Sequence, residues 1–138
     1  MTERSLPVTV MISSAGDHEG RKLIPLMESV AVAGKGKPRK RPRTIYADTK
    51  YDMPLNRFYL VKKHIVSQIK DHPGKKSRPG RPRLFDRREY VRIRSLVERF
   101  NAWIKAFRRV ATRYDRLPTL YTGFVHLACI MIYLRILQ

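Results

Sequence analysis

The sequence predicts an α/β fold, and three observations carry that expectation. Short β-branched or apolar runs alternate with segments of helical periodicity, in the order β-α-β-α-β-α-α. Hydrophobic residues make up 43% of the chain, enough for a core and too many for a disordered basic tail. The length, 138 residues, suits one domain.

The elements follow in order. LPVTVMIS, residues 6–13, is β-branched and partly alternating, as a strand should be. Ser14, Ala15 and Gly16 end it. Asp17 then caps a helix over 17–32, whose apolar stripe is Leu23, Ile24, Met27 and Val30. GKGKPRKRPR, residues 34–43, is a loop. TIYA, residues 44–47, is a short strand ending at Asp48. Asp52 is placed to cap a helix over 54–63, with Pro54 in its first turn. Residues 65–69 read as another strand, and residues 71–83 as a second basic loop rich in Pro and Gly. A long amphipathic helix is expected over 86–115. Its apolar set includes Ile93, Leu96, Val97, Phe100, Trp103, Ile104, Phe107, Val110, Ala111 and Tyr114. Leu117 and Pro118 break it, and an apolar helix follows over 117–137. That last segment is long enough to cross a bilayer. Thr119, Thr122, Gly123, His126 and Arg135 favour a buried core helix instead.

The charge distribution narrows the partners. Lys and Arg number 30 against 11 Asp and Glu, a net charge of +19. Residues 1–34 hold three basic and four acidic side chains, so the excess lies in the remainder. The last 22 residues carry one charge, Arg135. Such a chain attracts polyanions. Lys35, Lys37, Arg39, Lys40, Arg41, Arg43, Lys75 and Lys76 in the two basic loops are the expected phosphate contacts. Arg94, Lys105 and Arg109 on the long helix join them. The single cysteine, Cys129, excludes an intramolecular disulfide framework and argues against a structural zinc site. The amino-terminal stretch has no long apolar core of the secretory kind.

Two carboxylates stand out. Asp48 lies where a strand stops, and α/β sheets gather their chemistry at such ends. A turn or helix cap is the plainer role for it. Glu98 stands among cations: at about 100° per residue, Arg94, Glu98, Ala102, Lys105 and Arg109 share a narrow sector. An ion pair with Arg94 is its plainer role, and ligation of a metal between phosphate-binding cations the sharper one.

Several segments together resemble the DDE-type transposases of prokaryotic insertion sequences, in particular insertion-sequence family five. LPVTVMISSAGDHEGRKLIPLMESV looks like that family's strand, its small-residue turn with Asp-His, and its helix. TIYADTKYD resembles the segment bearing the second catalytic Asp, matched by Asp48. RSLVERFNAWIKAFRRVATRYDR resembles the segment bearing the catalytic Glu, matched by Glu98, and FVHLACIMIYLR the carboxy-terminal apolar helix. The family signature Tyr-x2-Arg-x3-Glu-x6-Lys falls on Arg94, Glu98 and Lys105. Val91 holds its Tyr position, with Tyr90 one residue earlier.

The resemblance implies an RNase H-like (retroviral integrase-like) core over 1–116, lacking its first strands, with an apolar helix over 117–138 packed on it. It implies that Asp48 and Glu98 ligate Mg²⁺ or Mn²⁺ in a completed site. The implied reaction cuts transposon ends and joins 3′-hydroxyls to target DNA. The family's first Asp belongs on a strand upstream of LPVTVMIS, and neither Glu3 nor Asp17 matches its motif. The chain is therefore expected to be inactive alone, as a decayed remnant or as one half of a split or frameshifted element. Its expected partners are DNA, the upstream half and further copies of itself, in the cytoplasm on the nucleoid. A basic DNA- or RNA-binding protein without chemistry is the competing reading; a membrane-anchored protein ranks last.

Overall fold

A computed structural model describes residues 6–14, 16–32, 41–71 and 84–137. The chain divides into two compact units, residues 14–93 and residues 1–13 with 94–138.

The first unit is built on a β-α-β segment. Strand β1 (Thr44–Ala47) and strand β2 (Val66–Ile69) pair in parallel, Thr44 opposite Val66 and Ala47 opposite Ile69. Helix α2 (Pro54–Lys62) is the crossover between them, as a parallel pair requires. Both strands and the crossover lie where the sequence places them, so the α/β expectation holds. Leu23 and Met27 of helix α1 (Leu23–Glu28) close the core with Leu60, Ile65 and Ile69.

Two local devices shape this unit. Helix α2 ends in a Schellman motif: Ile65 N–H donates to Leu60 O at 2.8 Å and His64 N–H to Val61 O at 2.9 Å. His64 takes the left-handed position, φ 53°. Buried Leu60 and Ile65 supply the accompanying apolar contact. The second device is a close approach. A Cβ on Gly20 would meet the Lys50 carbonyl oxygen at 2.5 Å. Buried Asn56 clamps the same place, its Nδ2 donating to Gly20 O at 2.8 Å and to Tyr51 O at 3.1 Å.

The expected helix over 17–32 is shorter than its pattern. A 3₁₀ turn (Glu19–Lys22) leads into α1, which stops at Glu28. Its cap is His18, whose Nδ1 accepts from Gly20 N–H, while Asp17 pairs with Lys22 at 2.8 Å. Asp52 does not cap α2 either. Met53 holds that position without a side-chain bond, and Asp52 is drawn aside by Arg57. The loops over 34–43 and 71–83 lie mostly outside the described residues, with Lys35, Lys37, Arg39, Lys40, Lys75 and Lys76 among them.

Helix α3 (Arg87–Lys105) starts with Asp86 Oδ1 accepting from Glu89 N–H at 3.0 Å. Gln68 Oε1, on β2, accepts from Asp86 N–H at 2.9 Å. The long helix expected to reach residue 115 ends at Lys105. The backbone turns extended at Phe107, and a short helix α4 (Arg108–Ala111) follows. Phe107 and Val110 thereby pack against the core of the second unit.

That core is Leu6, Phe100, Val125, Cys129 and Ile132. Helix α5 (Pro118–Leu137) contributes the last three at the spacing of one helix face. The strand expected over 6–13 is not one: these residues have no ladder partner among the described residues. Leu6 is buried there, Val10 and Ile12 pack beside it, and the Tyr133 hydroxyl donates to Pro7 O. Helix side chains take the place of a neighbouring strand. The helix expected to be a buried core element buries only that one face. Leu120, Leu127, Ile130, Met131, Leu134 and Leu137 are more than half exposed. By length and composition α5 could cross a membrane, with 22% of its most apolar window buried.

Candidate active site

Asp48 follows directly on β1, at the carboxy-terminal end of the parallel pair. Ala47 is pinned by its register opposite Ile69, so the chain leaves the sheet at a set point. Asp48 then caps a 3₁₀ turn (Thr49–Tyr51). Its Oδ1 accepts from Thr49 N–H at 2.7 Å and from Thr49 Oγ1 at 3.3 Å. The residue is exposed, and Oδ2 has no partner among the described residues. One oxygen thus shapes the turn while the other makes no hydrogen bond among the described residues. The plain role of Asp48, a turn cap, is present in the structure and leaves half of the carboxylate for a ligand.

The turn is tied down by side chains that sequence patterns do not reveal. Arg57 Nε donates to Asp52 Oδ1 at 2.7 Å, and Nη2 donates to Ile69 O at 3.1 Å and Asp71 Oδ1 at 3.0 Å. The Asp52 side chain is 1% exposed and that of Arg57 11%. One guanidinium therefore joins the end of the Asp48 turn to the end of β2. Its spacing from Asp52, five residues, lies outside the i,i+4 pairs sought on helices. Beside this turn, burial pushes the Tyr51 phenol up, helped by the negative charges of Glu19 and Asp48.

Near the start of α3, Glu89 receives two hydrogen bonds from Arg92, which hold its carboxyl below the ordinary range. Burial, then the charges of Glu89 and Asp86, push the Tyr46 phenol up.

Glu98 lies on the exposed side of α3. Its Oε1 accepts from Arg94 Nε at 2.8 Å, and both side chains are about 60% exposed. The plain i,i+4 pair is thus formed. Lys105 closes the helix, exposed, on the sector the sequence predicts. Arg109 is not on that sector, because the helix breaks before it. It lies on α4 with its guanidinium 4.5 Å from the Phe124 ring centroid. Arg41, expected in a phosphate-binding loop, donates to Lys63 O at 2.7 Å, and Arg43 is exposed. Among the described residues no three His, Cys, Asp or Glu side chains gather to hold a metal ion. Asp48 and Glu98 belong to different units.

A family model described as "Transposase DDE domain" matches residues 1–133. A putative transposase for insertion sequence element IS402 from Burkholderia cepacia is 28% identical over 128 residues, 91% of this chain and 56% of that protein. A putative transposase for insertion sequence element IS6501 from Brucella ovis is 38% identical over 92 residues, 66% of this chain and 67% of that protein. The chain thus spans about half the length of the first of these relatives and two thirds of the second. No solved structure matches.

Proposed function

We propose that this chain, which belongs to the DDE-domain transposase family, acts in DNA transposition and supplies two acidic residues, Asp48 and Glu98, to the strand-transfer centre. The observation that carries the reading is Asp48: an exposed carboxylate at the carboxy-terminal end of a parallel strand, with one oxygen unbonded among the described residues. α/β sheets hold their chemistry at that edge. In this reading residues 1–116 are part of an RNase H-like catalytic domain, and residues 117–138 a helix that packs on it. The centre is completed by a carboxylate from the remainder of a longer transposase. Mg²⁺ or Mn²⁺ belongs to that completed site, where it would polarise the phosphate and activate the attacking oxygen. The basic side chains, Arg94 and Lys105 among them, orient the DNA backbone. The setting is the cytoplasmic nucleoid.

The test mixes the full chain with a polypeptide covering the rest of a relative's length and follows strand transfer on labelled transposon-end DNA. The chain alone should be inactive and the mixture active. Asp48→Asn and Glu98→Gln should each abolish transfer in the mixture while DNA binding persists. Transfer that survives either substitution overturns that assignment. A second reading has one observation in its favour. The net charge of +19 attracts nucleic acid without calling for any catalytic group, which suits a basic DNA- or RNA-binding protein, or a transposase remnant, that performs no chemistry. Binding without transfer in every mixture would establish it.

A further inference from the structure

We propose that Arg109 and Arg113 form a pre-set phosphate-binding pair, held on the aromatic face of α5, that grips the backbone of duplex DNA. The inference rests on the reading of the chain as a DNA-acting protein and deepens it: Arg109, an expected phosphate contact, is joined by Arg113, each over an aromatic ring. Residues 106–116 contain four arginines, all exposed, and one acidic residue, Asp115. No guanidinium of the four is ion-paired with a carboxylate among the described residues. Arg57, Arg92 and Arg94, by contrast, are each paired with Asp or Glu. Asp115 does not neutralise the group by contact: its Oδ2 is buried and unbonded among the described residues.

Two of the four are also fixed in place. The break after Lys105 sets Arg109 over the Phe124 ring, 4.5 Å to its centroid, and Arg113 lies 5.4 Å from that of Tyr121. Tyr121 and Phe124 are three residues apart on α5, so they share a face. The Tyr121 hydroxyl donates to Val110 O at 3.0 Å, which holds its ring against α4. Arg113 also donates from Nε to Asp115 O at 3.0 Å and from Nη2 to Arg116 O at 3.3 Å. A guanidinium held over a ring by cation–π attraction still has N–H donors to offer a phosphate. Its rotamer freedom is already lost in the folded chain, so binding a phosphate costs less entropy than for a free lysine.

Salt dependence reads such contacts directly. Each phosphate neutralised adds about 0.9 to the slope of log affinity against log salt on duplex DNA. The experiment titrates the full chain onto a labelled duplex of arbitrary sequence across a range of NaCl, with melting curves as a folding control. Arg109→Gln and Arg113→Gln should each make the slope shallower by about 0.9. Phe124→Leu keeps both charges but removes a ring, so it should keep the slope and weaken binding about two- to fivefold. Arg109→Gln carries the test if Arg113→Gln loses its turn and fails to fold. Wild-type slopes in the folded Arg109 variant overturn the site while leaving the DNA reading intact. A wild-type chain that does not bind duplex DNA, or binds RNA alone, overturns both.

Discussion

Arg57 is the side chain on which the Asp48 turn leans. It is five residues from Asp52, largely buried, and its donors reach β2 and Asp71 as well. Removing it takes the guanidinium at 2.7 Å away from a carboxylate that is 1% exposed, and breaking a buried pair from one side costs about 3–5 kcal/mol. Arg57→Ala should lower the unfolding free energy by about that amount in urea denaturation; a loss under about 1 kcal/mol would mean the network is not stabilising. The two candidate catalytic residues behave differently. Asparagine keeps the oxygen that accepts from Thr49 N–H, so Asp48→Asn preserves the turn and removes the charge. Glu98→Gln breaks an exposed i,i+4 pair and costs about a few tenths of a kcal/mol. Loss of function in either variant therefore reads as chemistry and not as unfolding.

Among the elements, α5 combines two opposite environments. Val125, Cys129 and Ile132 are in the core, while Leu134 on the same helix is 54% exposed. Ile132→Ala should cost about 2–5 kcal/mol, the transfer and cavity penalty of a buried aliphatic. Leu134→Ala should stay within about 0.5 kcal/mol. Equal costs in thermal melts would show that the exposed face is covered in solution. Helix α3 shows how tertiary packing redraws a periodic pattern. Its apolar repeat runs unbroken through Phe107 and Val110, yet the helix stops at Lys105 so that both can meet the core of their unit. The same break moves Arg109 from the Glu98 sector onto Phe124.

For the molecule as a whole, the net charge of +19 dominates. Like charges at this density repel one another in the compact state, and salt screens them over about 8–10 Å. The melting temperature should rise between about 20 mM and about 300 mM NaCl; a fall would mean that attractive ion pairs outweigh the repulsion. Much of the fold was legible from local pattern. Both paired strands, the Pro54 crossover helix, the start of the long helix and the apolar last helix follow from periodicity and turn residues, because those signals lie within a few residues of one another. Asp48 was legible for the same reason, as the residue where a strand stops. Residues 6–13 were not, since a strand needs a partner and the pattern alone does not say whether a strand or a helix lies alongside. The Arg57 network, the clamp of Asn56 on Gly20 and the stacking of Arg109 on Phe124 were hidden too. Each joins residues from separate elements, at separations that no helix or strand repeat produces. Composition and short-range spacing thus specified the class of elements, the excess of positive charge and the candidate carboxylates. Which side chains are buried, paired or left open to a ligand depended on long-range packing, because burial and pairing are properties of neighbours that only the folded chain brings together.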